Sequence, residues 1–228
     1  YRECSVMKLP YILSGINKDS GGAVGGPVSL EYRDNSSRDG VGVTSYTFNS
    51  LDIGSASADR YVVCIVHMFA VADFQATSVT IGGVSAQELV GTTGGDINTY
   101  IGIWAAKVPT GTTASITITS SASAPTYGVS TWKATANQLG VTTTGVSTSL
   151  AGGVGSFTDT YSSDSLFGTT GLNDSNPTWT NATKKYGVDM RSNEWMSGAQ
   201  GNIIDSSGTV SFSDYRCAVF ASLEDTSP

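Results

Sequence analysis

Apolar positions in this chain come in short runs, each closed off by Gly, Ser, Thr or Asp. Tyr61–Phe69, Ser78–Ile81, Tyr100–Trp104, Ala114–Thr119 and Gly208–Ser213 are rich in Val, Ile, Thr, Tyr or Phe, the composition of β-strands. No stretch shows the 3.6-residue spacing of a long amphipathic helix. Many short strands with turn signals between them predict an all-β fold, a β-sandwich or jelly-roll-like body.

Individual segments refine this. Val28–Tyr32 alternates apolar and polar residues, Arg33–Gly40 predicts a polar loop, and Val41–Phe48 predicts the next strand. Leu51–Asp59 predicts a connection into Arg60–Phe69, the most apolar run of the chain. Its centre lacks alternation, which predicts a strand in the middle of the sandwich with neighbours on both edges. Ser78–Leu89 predicts a hairpin turning at Gly82-Gly83, where a two-residue turn needs two positive-φ positions. Asn98–Val108 and Tyr127–Ala136 predict further strands, with Trp104 and Trp132 in the core, while Gly140–Gly155 fits either a weak strand or a loop. Towards the C-terminus, 165–170, 178–180, 184–188, 194–199, 208–213 and 215–223 read as strands, followed by a polar tail. No repeat of the kind that marks a solenoid or propeller is evident.

The first 27 residues differ from the rest. Tyr1–Ile16 mixes apolar and charged residues without alternation, and the Gly-rich run Asp19–Pro27 reads as a tether. Residues 1–27 are therefore expected to form an extended N-terminal arm, and residues 28–228 a single β-sandwich domain. Leu9, Pro10, Tyr11, Ile12 and Leu13 have too little context for a core of their own, and are read as either packing back on the body or lying on a neighbouring subunit, the neighbour being favoured.

Composition narrows the function. Only 14% of residues are charged and Ser plus Thr supply roughly a quarter of the chain, well above ordinary usage. The net charge of −7 and a pI near 4.5 repel phosphate, so no nucleic-acid partner is expected. No run approaches the length of a membrane-spanning helix, and no signal-peptide pattern is present, so no membrane partner is expected. The sequence starts at Tyr1 without Met, which reads as a processed or incomplete N-terminus.

Reactive side chains are sparse. The one histidine, His67, lies in an apolar strand and reads as a packed or edge-facing strand residue; no second His can join it at a metal. No serine sits in a nucleophile-elbow pattern. Cys4, Cys64 and Cys217 are widely spaced; Cys64 and Cys217 read as buried small hydrophobes, with a bridge between them left open. Asp73, Asp96, Asp159, Asp164 and Asp174 are the candidates for a carboxylate pair, but each sits in turn-like surroundings where Asp serves the backbone. Asn173–Asn176 and Asp159–Asp164 gather oxygen ligands without matching a calcium loop. No catalytic residue, metal or cofactor is expected, and the chain is read as not an enzyme. Trp179, Tyr186 and Trp195, among polar neighbours, are candidates for stacking on a sugar, with core or interface packing the favoured reading.

Several segments carry a resemblance. Ile53–Arg60 before an apolar strand, Ser78–Val84, Ile103–Thr113 leading into Ser115–Ile118, Tyr127–Trp132, Thr178–Thr183 and Cys217–Phe220 together resemble a β-sandwich module of tailed-bacteriophage structural proteins. The resemblance spans roughly residues 45 to 223 and leaves out the arm. It implies a virion component without catalytic residues, from a lineage of head decoration proteins and tail or fibre parts. The expected function is thus a capsid decoration or cement protein on the outer virion surface, assembled in the host cytoplasm. Its expected partners are the major capsid protein and neighbouring copies of itself, as a homo-oligomer such as a trimer. The alternative is a tail- or head-fibre module that recognises host surface glycan.

Overall fold

Alternating side chains and frequent turn residues give a chain made almost wholly of antiparallel strands. The computed structural model describes residues 28–70, 74–94, 99–124, 126–148, 153–161, 164–172, 176–191, 194–201, 206–213 and 215–227. The first half holds β1 (Ser29–Arg38), β2 (Val43–Asp52), β3 (Arg60–Phe69), β4 (Ala76–Ile81), β5 (Val84–Ser85), β6 (Gln87–Thr93), β7 (Thr99–Lys107), β8 (Thr113–Ala124) and β9 (Thr126–Thr135). The second half holds β10 (Leu139–Thr148), β11 (Gly155–Tyr161), β12 (Ser165–Leu172), β13 (Trp179–Thr180), β14 (Ala182–Arg191), β15 (Glu194–Gly201), β16 (Ser206–Phe212) and β17 (Tyr215–Asp225).

These strands form four layers. Sheet 1 has the order β2-β8-β4-β5, sheet 2 β1-β9-β3-β7-β6, sheet 3 β10-β17-β12-β15-β14 and sheet 4 β11-β16-β13. One apolar core, with Ile53, Val66, Ile81 and Ile118, lies between sheets 1 and 2. A second, with Ile65, Trp132, Leu166 and Val219, fills the seam between sheets 2 and 3. A third, with Phe157, Phe167, Phe212 and Phe220, lies between sheets 3 and 4. The molecule is all-β, two sandwiches stacked through their five-stranded sheets.

This stacking explains the runs without alternation. In β3, Val62, Cys64, Val66 and Met68 face the first core, while Tyr61, Val63, Ile65 and Phe69 face the seam. Every β3 residue is buried, and β3 pairs with β7 on one edge and β9 on the other. A strand covered on both faces has no reason to alternate. β17 is built the same way: Cys217, Val219, Ala221 and Leu223 face the seam, and Ala218 and Phe220 the third core.

The Gly82-Gly83 turn forms as its residues predict. Both glycines have positive φ, 59° and 80°, and Ile81 pairs with Val84 across them. β1 departs from expectation, because Arg33–Arg38 is not a loop but the second half of an edge strand on β9. A bulge between Tyr32 and Asp34 re-aims the strand. Arg33 then bonds Glu31 at 2.5 Å and Asp52 at 2.7 Å. Polar side chains are cheap on an edge strand, so polarity alone did not mark a loop. The ambiguous stretch after Gly140 contributes β10, an edge strand paired with β17.

The two sandwiches have one topology. Replacing β1, β9, β3, β7 and β6 by β10, β17, β12, β15 and β14 turns the order of sheet 2 into that of sheet 3. The same correspondence turns β2-β8-β4 of sheet 1 into β11-β16-β13 of sheet 4, leaving only the two-residue β5 without a counterpart. Ladder registers carry it to residues. Leu30 and Tyr32 precede a bulge in β1 as Leu139 and Val141 do in β10. Tyr46 and Phe48 pair with Ile118 and Ile116, as Gly155 and Phe157 pair with Phe212 and Val210.

Candidate functional site

The most concentrated polar chemistry lies in the seam. His67 on β3 is fully buried, as are Ser130 and Trp132 on β9. Tyr186 on β14 reaches them from the other sandwich, 6% exposed. Trp132 Nε1 donates to Ser130 Oγ at 3.0 Å, and Ser130 Oγ donates to the Tyr186 hydroxyl at 2.9 Å. The Tyr186 oxygen then lies 3.1 Å from His67 Nε2. With its acceptor role taken by Ser130, the Tyr186 O–H donates to His67 Nε2, which assigns the proton of a neutral imidazole to Nδ1. Nδ1 has no partner among the described residues. Burial lowers the His67 pKa to about 3 and pushes that of Tyr186 far up. Tyr32 stacks on Tyr186 with ring centroids 5.7 Å apart, closing the cluster.

This chain of donors runs one way, from Trp132 to His67, and ends inside apolar packing. It fixes how the two sandwiches register, the role for which buried polar groups are best attested.

Arg60 is the second concentration. Its side chain is fully buried and faces backbone carbonyls: Nε donates to Val108 at 2.7 Å, Nη1 to Gly54 at 2.7 Å and Gly111 at 2.9 Å, and Nη2 to Thr110 at 2.6 Å. Gly54 and Gly111 have φ of 77° and 76°, a backbone that turns their carbonyls inward without steric penalty. The guanidinium thus ties the loop before β3 to the loop before β8. Burial lowers its pKa. The sequence presented Ile53–Arg60 and Ile103–Thr113 as separate motifs, and the fold joins them at this side chain.

A third cluster sits where β6 meets β7. The Tyr100 hydroxyl donates to Glu88 Oε1 at 2.5 Å and accepts from Trp104 Nε1 at 3.0 Å. Burial, reinforced by the Glu88 charge, raises the Tyr100 pKa well above its usual value. A Cβ at Gly102 would stand 2.2 Å from that hydroxyl, so glycine there makes the room.

The candidates singled out by sequence scatter through this framework. Trp104 and Trp132 are buried, as expected. Trp179, Tyr186 and Trp195 do not form one sugar-facing surface. Tyr186 is sealed in the seam. Trp179 packs on the opposite side of sheet 3 against Phe167 and Phe212, centroids 6.1 and 5.4 Å away, and its Nε1 donates to Ser197 at 2.9 Å. Trp195, two positions before Ser197, shares the Trp179 side by strand alternation and is half-buried. Polar neighbours in sequence misled because in a strand they point to the other face.

Cys64 and Cys217 are buried and unbridged, and they point into different cores, which closes the open question of a bridge. Asp164 is buried, and its carboxylate accepts the Val28 N–H at 2.9 Å, a backbone role. Asp159 lies on β11, with its side chain outside the described residues. Leu9, Pro10, Tyr11, Ile12 and Leu13 of the arm, and Asp73, Asp96, Asn173 and Asp174, also lie outside them. Among the described residues no group of three or more His, Cys, Asp or Glu is placed to hold a metal, and no helix is long and apolar enough to cross a membrane.

Sheets 1 and 4 turn hydroxyls outward at the two ends of the stack. Thr47 and Thr117 bond across β2 and β8 at 2.9 Å, and Thr158 and Thr209 across β11 and β16 at 3.0 Å. Such cross-strand pairs stabilise a solvent-facing sheet. No protein-family model, curated protein or solved structure matches this chain.

Proposed function

We propose that the chain is a non-enzymatic structural protein of a tailed-bacteriophage virion, a decoration protein that docks on the outside of the head and stabilises it. One observation carries the non-enzymatic part: among the described residues, the histidine and the cysteines are spent inside. His67, Cys64, Cys217, Arg60 and Asp164 are all buried, and the polar ones bond backbone or seam partners. What is offered outward is a rigid strand framework ending in two hydroxyl-bearing sheets. The resemblance of residues 45 to 223 to phage sandwich modules supplies the virion context.

In this reading Leu9–Leu13 of the arm clamp the major capsid protein or a neighbouring copy, and the arm acts as a second tethered contact. The glycan-binding alternative loses its named platform, since Tyr186 and Trp179 lie on opposite sides of sheet 3.

Quantitative mass spectrometry of purified virions tests the reading. Hundreds of copies per particle are expected, because only the head lattice offers so many equivalent sites. A few to a dozen copies would move the chain to the tail or a fibre, and absence would remove it from the virion. Deleting residues 1–27 is expected to reduce particle occupancy while the body stays folded; full occupancy by the truncated chain would overturn the role of the arm.

A further inference from the structure

The seam between sheets 2 and 3 is built in part like a symmetric dimer interface. Under the strand correspondence, β1 matches β10 and β6 matches β14. β1 lies against β14, and β10 lies against β6. Likewise β9 meets β14 where β17 meets β6. These two pairs of contacts are counterparts with the halves exchanged, as in an isologous interface, while β7 against β17 and β12 has no counterpart of that extent in β15 against β9 and β3.

Packing interlocks the halves at positions that do not match one another, since Gly128 stands where the second half has Val219 and Gly168 where the first has His67. A Cβ at Gly128 of the first half would stand 2.6 Å from Met190 Cε and 2.7 Å from Met196 Sδ of the second. A Cβ at Gly168 of the second half would stand 2.8 Å from Ile65 Cγ2 and 3.0 Å from Ile101 Cδ1 of the first. Each half thus holds a glycine recess filled by the other's large side chains. The seam core is apolar on both sides, like a domain core cut in half, as in obligate dimers.

Main-chain oxygens of two aspartates hold chain segments at the seam. Asp59, just before β3, accepts the Ala136 N–H beyond β9 at 3.0 Å, and Asp164, just before β12, accepts the Leu223 N–H of β17 at 3.2 Å, both through the main-chain oxygen. The Asp164 carboxylate holds the start of β1 as well, at Val28.

We infer that residues 29–135 and 139–225 are two copies of one module, and that the face each turns to the seam is a self-docking surface whose partner is a second copy of that module. The single chain supplies both copies. Residues 136–138 are what keeps the pairing intramolecular. From Thr135 to Leu139 the chain can stretch about 15 Å at 3.8 Å per step, against roughly 10 Å between packed sheets. Without Asn137 and Gln138 the reach falls to about 7.6 Å, too short to close the seam within one chain.

The test uses the full 228-residue chain with Asn137 and Gln138 deleted, beside a version with ten Gly/Ser residues inserted between them. Light scattering after size exclusion, circular dichroism and thermal unfolding are the readouts. The deleted chain is expected to form a dimer by exchanging modules, at twice the 23.6 kDa chain mass, with the parent's β spectrum and a cooperative transition. The lengthened chain is expected to stay a monomer with a similar transition. A deleted chain that remains a monomer overturns the proposal. So does a deleted chain that loses cooperative unfolding, or aggregates, while the lengthened chain keeps its transition, because the seam faces then fail to recognise a second copy. Loss of the transition in both chains overturns it as well, since a self-docking seam tolerates a longer connector.

Discussion

His67 Nε2 and the Tyr186 hydroxyl meet 3.1 Å apart across the seam, although 119 residues separate them in the chain. The histidine comes from the centre of sheet 2 and the tyrosine from an edge strand of sheet 3. Their bond joins the two sandwiches through buried side chains, alongside the polar contacts of Val28 with Asp164, Leu30 with Gln200 and Thr99 with Cys217 across the same seam.

Tyr186→Phe removes the middle of the donor chain and leaves both the Ser130 hydroxyl and His67 Nε2 without their partner. An unsatisfied buried group costs about 1–3 kcal/mol, and a chain of this size loses about 2–4 °C of Tm per kcal/mol. Thermal unfolding is expected to show a drop of roughly 5–10 °C. An unchanged Tm would mean that the network contributes nothing to the seam.

Acid is expected to weaken the fold through the same histidine. Burial depresses its folded pKa to about 3, whereas the unfolded value is about 6.5. Between those values the unfolded chain binds a proton that the folded chain refuses, so stability falls as pH drops through this window. The loss approaches about 1.4 kcal/mol per pH unit below about pH 6. Urea midpoints measured from pH 7 to 4 should fall more steeply for the parent than for His67→Gln, which has no ring to protonate. Parallel curves would assign the acid sensitivity to other groups.

Arg60→Lys is expected to behave almost as badly as Arg60→Ala. Lysine carries the charge but lacks the planar fork that serves four carbonyls at once, and hydrogen bonds from a charged group contribute about 1.5–3 kcal/mol each without adding fully. A loss of roughly 3 kcal/mol or more is expected for either change, read by denaturant unfolding. Faster proteolysis in 53–59 and 108–113 should accompany it, because those loops lose their common anchor. A lysine variant as stable as the parent would show that charge alone suffices.

Gly168→Ala places a methyl group 2.8 Å from Ile65 Cγ2. Overpacking of this kind costs about 1–3 kcal/mol. Pairing it with Ile65→Ala, which removes the clashing Cγ2 itself, should recover part of the loss. The double-mutant cycle is then non-additive, as for residues in contact. Strict additivity would place the strain elsewhere.

Local chemistry determined much of this protein in the sequence alone. Strand identity, the Gly82-Gly83 turn, the burial of Trp104, Trp132 and His67, and the all-β class follow from side-chain composition and turn residues that act over a few positions. The run Tyr61–Phe69 announced a central strand with neighbours on both edges, while the cover over both its faces came only with the stacking of the two sandwiches. What tertiary structure decided is everything that depends on which face meets which. Tyr186 sits among Lys184, Lys185 and Asp189 in sequence, yet a bulge between Lys184 and Tyr186 turns its ring away into the seam. Arg33–Arg38 looks like a loop until β9 pairs with it. Arg60 shows its four carbonyls only once two distant loops fold over it. The doubling of the sandwich left no sequence period, because the matched positions keep only burial: Ile65 stands for Leu166, Val66 for Phe167, Ile118 for Phe212. Packing requires apolar volume at those sites rather than a particular residue, so the repeat survives in strand order and contact while the letters diverge.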